Sequence, residues 1–135
     1  MKLESTVVVT AEYIDDLGHM NHALGLRLFE FARDEWYAKA GLWEGRPWSD
    51  DEHLGTIVLN LNVNYRRECF LDEELTVSTE PLKRGRKSYV LKQEMRKADG
   101  TVALDLTTTC LIMDMRERKT IEIPASLARH FPAAT

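Results

Sequence analysis

A chain of 135 residues has the length of one compact domain and can bury a core without disulfide or metal staples. Charged residues make up 30% and hydrophobic residues 44%, which excludes a disordered chain. The net charge of −4 argues against a general nucleic-acid binder, and no apolar run approaches the ~18 residues of a membrane-spanning helix.

Residues 1–6 run straight into the strand-like Val7-Val8-Val9, without the successive charged, apolar and small-residue regions of a signal peptide. The expected location is therefore the cytoplasm. Residues 5–14 read as a first strand, followed by a Gly-containing turn over 15–20. Asn21 is a good helix N-cap, because its side chain can bond the amides of the first turn. A helix follows from His22 to about Ala40. Leu24, Leu28, Phe31 and Ala32 make one apolar track along it, and Leu26, Phe29 and Trp36 make another. Arg27, Glu30 and Asp34 form its polar stripe, spaced for pairing within the helix. A helix apolar over most of its circumference is expected to be buried. Gly41 ends it, and residues 42–53 form a loop rich in Trp, Pro and acids.

The hydrophobic period then changes to two. Residues 56–67, 74–83, 87–98 and 101–115 read as four strands, with a short fifth at 120–123 and a short helix at 126–130. Asp99-Gly100 is a hairpin signal between the third and fourth of these strands. The order is a strand, a long helix, then consecutive antiparallel strands. It predicts an α+β fold with an antiparallel sheet wrapped around a long central helix. No repeat or linker divides the chain, so one domain spans 1–135. Open strand edges predict pairing between subunits.

The segment from Tyr13 to His22 concentrates reactive groups. Asp15, Asp16, His19 and His22, with Gly18 among them, lie between a strand end and a helix start. A helix start offers unpaired amides and the positive end of the macrodipole, which can hold a carbonyl oxygen as it becomes an oxyanion. A carboxylate just upstream can attack the carbonyl or deprotonate a water. The same residues also fit a capped helix after a solvated turn, since acids near a helix start are favourable without catalysis. His19, His22 and Asp15 lack the further ligands of a metal site, and no metal is expected.

Two other features stand out. Residues 83–88, Lys-Arg-Gly-Arg-Lys-Ser, place four cations in five positions, which suits phosphate as well as a solvated hairpin turn. Only Tyr89 interleaves these cations, so no stacking platform for nucleic acid is present. Asn60, Asn62 and Asn64 alternate along one strand, where Asn is a poor fit; they line a cleft or an interface, or simply face water. Cys69 and Cys110 show no metal or redox spacing, and Cys110 reads as a small core residue.

Asp15, Gly18, His22 and the helical Glu30-Phe31-Ala32-Arg33 together resemble the 4-hydroxybenzoyl-CoA thioesterase family of hotdog proteins, including its acyl-CoA thioesterase branch. Leu54-Gly55-Thr56, Asn62, Ser88 and the closing Asp114 and Ile123-Pro124 extend the resemblance over nearly the whole chain. It implies a hotdog fold and hydrolysis of an acyl-CoA thioester. It assigns the catalytic carboxylate to Asp15 and not to Asp16, with Gly18 and His22 in the same catalytic segment and the His22 amide as an oxyanion donor. It places Arg86, Lys87 and Ser88 at the nucleotide end of CoA, with Thr56 and Asn62 on the substrate side. Whether Asp15 attacks directly or through water stays open. It implies no cofactor, and a homodimer or homotetramer. An acyl carrier protein thioesterase and a non-catalytic acyl-binding module are the alternatives. Residues 42–53, with Trp43 and Trp48, depart from the family pattern.

Overall fold

The computed structural model describes residues 1–41 and 54–132; the expected loop over 42–53 lies outside them. The elements are β1 (Leu3–Val8), a 3-10 turn (Ala11–Tyr13), α1 (His22–Lys39), β2 (Leu54–Tyr65), β3 (Glu74–Arg84), β4 (Ser88–Arg96), β5 (Val102–Asp114), β6 (Lys119–Ile121) and α2 (Ala125–Ala128). They form one antiparallel sheet in the order β1-β3-β4-β5-β2, with β6 beside the end of β5. The α+β plan expected from the pattern is the one observed.

The first strand is shorter than its apolar pattern suggested. β1 runs antiparallel to β3, and its last pair is Val8 with Glu74, the first residue of β3. Val9 still exchanges backbone hydrogen bonds with Glu73 and Asp72, but beyond it no described strand lies alongside, and the chain turns into the 3-10 segment, closed by Tyr13 N–H on Thr10 O. Asp99-Gly100 does make the β4–β5 hairpin, with Gly100 at φ 90 and Asp99 Oδ1 accepting from the Thr101 amide and hydroxyl.

α1 packs across the inner face of the sheet, closest to β1 and β3. Alternate residues of the strands meet it: Leu75, Val77 and Thr79; Tyr89, Leu91, Gln93 and Met95; Leu104, Leu106, Cys110 and Ile112. From the helix come Leu28, Phe29, Ala32, Arg33, Trp36 and Tyr37, all buried. Each large apolar side chain among them contributes about 1.5–3 kcal/mol through burial. Two apolar clusters result. One, around Phe29, Leu75, Met95 and Leu104, lies under the start of α1. The other gathers Trp36, Tyr89, Ile112 and Phe131 at the far end.

A polar layer lies in the same core. Arg33 Nη1 donates to Gln93 Oε1 at 3.0 Å, and Gln93 Nε2 donates to Phe29 O at 3.0 Å and Thr79 Oγ1 at 2.9 Å. Arg33 makes no ion pair among the described residues.

Two expectations for the helix are corrected. Leu24 and Phe31 are exposed, because no described element covers that side of α1. The polar stripe makes no ion pairs among the described residues: Arg27 lies over the Phe31 ring, and burial together with the Glu30 charge holds Asp34 above its ordinary range. On the same side of the sheet β2 is an open edge. Leu59 is 56% exposed at a bulge, and Val58, Leu61 and Tyr65 are 40–50% exposed.

Candidate active site

The turn between the 3-10 segment and α1 is stapled at several points. Asp15 N–H donates to His19 O at 3.2 Å and Gly18 N–H to Asp15 O at 3.0 Å, with Gly18 at φ 84. That conformation costs a glycine nothing and strains any other residue. Met20 N–H donates to Cys69 O at 2.7 Å, which docks the turn on the β2–β3 connection, and Asn21 N–H donates to Tyr13 O at 2.7 Å.

This frame holds the Asp15 carboxylate by both oxygens. Oδ1 accepts from Leu17 N–H at 2.9 Å and Oδ2 from Asn21 Nδ2 at 3.2 Å. The Leu17 amide is the main reason the Asp15 carboxyl lies below the ordinary aspartate range. Partial desolvation opposes that shift, while the Asn21 amide and the nearby His19 and His22 rings add to it. Asn21 caps α1 as expected, its Oδ1 accepting from Ala23 N–H at 2.9 Å and Leu24 N–H at 3.1 Å. His22 N–H is left without an acceptor among the described residues.

A cavity of about 270 Å³ opens beside these groups. Asp15, His19 and His22 border it, Leu17, Met20 and Leu104 supply apolar wall, and Tyr65 through Cys69 close the remaining side. Tyr65 Oη donates to His22 O at 2.9 Å, and its ring meets the imidazole edge-on at 6.2 Å. Arg66 and Arg67 both donate their amides to Ala103 O, and Arg66 pairs with Asp105. Burial pushes the Cys69 thiol up to about 11, so it stays protonated and is no nucleophile at neutral pH.

The structure thus brings together Asp15, Gly18 and His22, and keeps the other expected site residues apart from them within the chain. Thr56 pairs with Ile112 and Ser88 with Leu111, whereas the cavity reaches β5 at Leu104. Seven residues of strand separate Leu104 from Leu111, about 23 Å at ~3.3 Å per residue. The basic turn is tied down at that far end, Ile123 N–H donating to Arg86 O and Arg86 pairing with Glu122 at 3.0 Å. Asn60, Asn62 and Asn64 stand opposite Thr109, Thr107 and Asp105, on the sheet face turned away from α1. Sequence reading missed the second role of the Asn21 amide and the whole contribution of Tyr65–Cys69. The end of an alternating strand carries no sign of which helix terminus it meets. Among the described residues no three His, Cys, Asp or Glu side chains cluster as a metal site requires.

One long helix packed against an antiparallel sheet is the hotdog architecture. The chain belongs to the thioesterase-like superfamily, whose profile matches residues 9–131, and thioester hydrolysis is the chemistry of that family. It is 25% identical over 126 residues to the long-chain acyl-CoA thioesterase FadM of Escherichia coli (strain K12), 93% of each chain. It is similar to the DHNA-CoA thioesterase of Staphylococcus aureus, with 26% identity and a TM-score of 0.79 over 97% of this chain and 84% of that one. A further S. aureus protein, solved in complex with CoA, shares the fold at 22% identity and a TM-score of 0.86, covering 100% of this chain and 89% of that one. No described helix is long and apolar enough to cross a membrane.

Proposed function

We propose that the protein hydrolyses an acyl-CoA thioester with Asp15 acting on the thioester carbon. The observation that carries this reading is the meeting, at one cavity, of a partly exposed carboxylate and His22, whose N–H at the start of an 18-residue helix has no acceptor among the described residues. A thioester oxygen seated on His22 N–H lies at the positive end of α1, where developing charge is stabilised. A carboxyl held below its ordinary range is ionised at neutral pH and is a weak base, which favours direct attack over activation of water. An Asp15 oxygen then bonds the carbonyl carbon, and the carbonyl electrons move to an oxyanion on His22 N–H. Collapse expels the CoA thiolate and leaves an acyl-aspartyl anhydride. Water opens the anhydride, freeing the acid and restoring the carboxylate, and the proton it releases neutralises the CoA thiolate. Gly18 supports the turn, and Tyr65 orients the first carbonyl of α1.

CoA as the carrier is supported by FadM's acyl-CoA activity and by the relative solved with CoA. Within one chain Arg86, Lys87 and Ser88 lie about 23 Å of strand away from the cavity that Asp15 borders. They become neighbours if two copies pair along β2. β2 is a long open edge with exposed apolar residues, a template for antiparallel pairing about a twofold axis. Such pairing sets the Thr56 end of one β2 beside the Tyr65 end of the other. The second copy's basic turn then lies three strand spacings away, about 14 Å. Homodimers of this kind, alone or as pairs in a homotetramer, give each site an Asp15 from one copy and phosphate-binding cations from the other. Asn60 and Asn62 flank the seam. Buried free thiols at Cys69 and Cys110 fit a reducing cytoplasm.

Thiol release from a panel of acyl-CoAs tests the reading. Asp15→Asn is expected to abolish turnover in a protein that stays folded, and Arg86→Ala/Lys87→Ala to raise KM. Wild-type turnover by Asp15→Asn refutes the mechanism. Hydrolysis of acyl carrier protein thioesters without hydrolysis of CoA esters refutes the carrier.

A further inference from the structure

We propose that Asn21 is a positioning residue for the reaction: its single side chain sets both the Asp15 carboxylate and the one helix amide left free for the substrate oxygen. The inference rests on the Asp15 reading above.

Asn21 engages both ends of its side-chain amide. Oδ1 accepts from Ala23 N–H and Leu24 N–H, at 2.9 and 3.1 Å, while Nδ2 donates to Asp15 Oδ2 at 3.2 Å. The assignment of oxygen and nitrogen is forced, since the flipped amide would set its NH2 against two N–H donors. The backbone is fixed as well, with N–H on Tyr13 O at 2.7 Å and O accepting from Gly25 N–H at 2.9 Å. A planar amide so held directs Nδ2 at Asp15 without freedom to turn away.

Capping alone does not require asparagine, because Ser and Asp cap about as well. Asp would place a second negative charge against Asp15. A serine hydroxyl is too short to span the helix amides and the carboxylate together. The geometry uses the property that only the amide has, an acceptor at one corner and a donor at the other.

Two consequences bear on catalysis. With Leu17 N–H on Oδ1 and Asn21 on Oδ2, the carboxylate is fixed in orientation while each oxygen keeps a lone pair. By occupying the Ala23 and Leu24 amides, Asn21 also leaves His22 N–H, in a residue that borders the cavity, as the first-turn donor without an acceptor among the described residues. One residue thus relates the attacking group to the oxyanion position. The charged groups around Asp15 are its neighbour Asp16, His19 and His22 of the turn and helix start, and Arg66, Arg67 and Glu68 across the cavity. Among the described residues the Asn21 amide is the one side chain hydrogen-bonded to the carboxylate.

Asn21→Asp and Asn21→Ser separate these roles, measured beside Asp15→Asn. Both variants keep a capping oxygen and are expected to fold, with the Tm of Asn21→Ser near the wild-type value and that of Asn21→Asp lowered by the carboxylate repulsion at neutral pH. Asn21→Asp replaces the donor with a carboxylate, and two carboxylates sharing a site resist joint ionisation. The acid limb of kcat/KM is expected to rise by about one pH unit or more, together with the Asp15 carboxyl titration read by 13C NMR. Asn21→Ser is expected to lower kcat about tenfold with KM within about twofold, because orientation is lost and binding is not. Wild-type kcat in the Ser variant, with limb and titration unmoved in the Asp variant, overturns the proposal. Wild-type turnover by Asp15→Asn instead overturns the Asp15 reading and the catalytic role of Asn21 with it. That failure is recognisable, because the NMR titration still moves in Asn21→Asp.

Discussion

The separation of Asp15 from the basic turn leads to a complementation experiment between two impaired variants. Asp15→Asn removes the proposed attacking group, and Arg86→Ala/Lys87→Ala the proposed phosphate cations. The Arg86 side chain is 73% exposed and its partner Glu122 64%, so each lost phosphate contact is discounted for solvent to about 0.5–1 kcal/mol. Together they correspond to a rise in KM of about 5- to 30-fold, at 1.4 kcal/mol per factor of ten. If each site combines Asp15 from one copy with the basic turn of the other, a mixed dimer holds one intact site and one doubly damaged site. Random reassociation of equal amounts makes half of the dimers mixed, so about a quarter of all sites regain wild-type character. The assay is thiol release well below the wild-type KM, after joint refolding or co-expression with two affinity tags. Activity near a quarter of wild type, with wild-type KM in that fraction, is the expected result. Activity equal to the average of the two parents would refute the shared site and place CoA wholly on one protomer.

Leu59→Lys places a charge on the open edge of β2; it is expected to yield monomers in sedimentation equilibrium and to lose activity with them, and a fully active monomer contradicts pairing along β2. With its folded pKa depressed, Asp15 stays ionised as pH falls through the ordinary aspartate value. The acid limb of kcat/KM that belongs to it is therefore expected below ~3.9, and stability linked to this group is present above that value and lost only as pH falls through the lower folded one. An Asp15 titration above ~3.9, read by 13C NMR, contradicts the geometry. Gln93→Leu removes the bonds of Gln93 to the Arg33 guanidinium, Phe29 O and Thr79 Oγ1 and is expected to cost about 2–4 kcal/mol in denaturant melts. Adding Arg33→Met is expected to recover part of that loss, since an absent buried charge needs no partner, and strict additivity contradicts coupling between the two.

What could be read from the sequence was what is local. Asn21 as a cap, the helix from His22 to Lys39 and the Asp99-Gly100 turn are set by neighbours within a few residues, and all three are found. Asp15, Gly18 and His22 meet in the structure because they are already close in the chain. The Tyr65–Cys69 wall of the cavity was not legible, because periodicity shows that a strand exists and not which helix terminus its end meets. The same limit explains Leu24 and Phe31. Their apolarity signals that something covers them, but within the described residues nothing does. The length of β1 also depends on where β3 begins, information that its run of valines does not contain.

The polar layer of Arg33, Gln93 and Thr79 has a mechanical meaning. Two apolar clusters alone would let a helix slide along the sheet with modest loss, exchanging one greasy contact for another. Sliding α1 by one turn moves its start about 5.4 Å along the axis. Such a displacement would carry the His22 amide out of register with the rest of the proposed site. A guanidinium, an amide and a hydroxyl in fixed sequence accept only one alignment, because any other strands hydrogen-bonding groups in the interior. The layer acts as a detent, and the reach of the enzyme toward its substrate is gauged from the middle of its core.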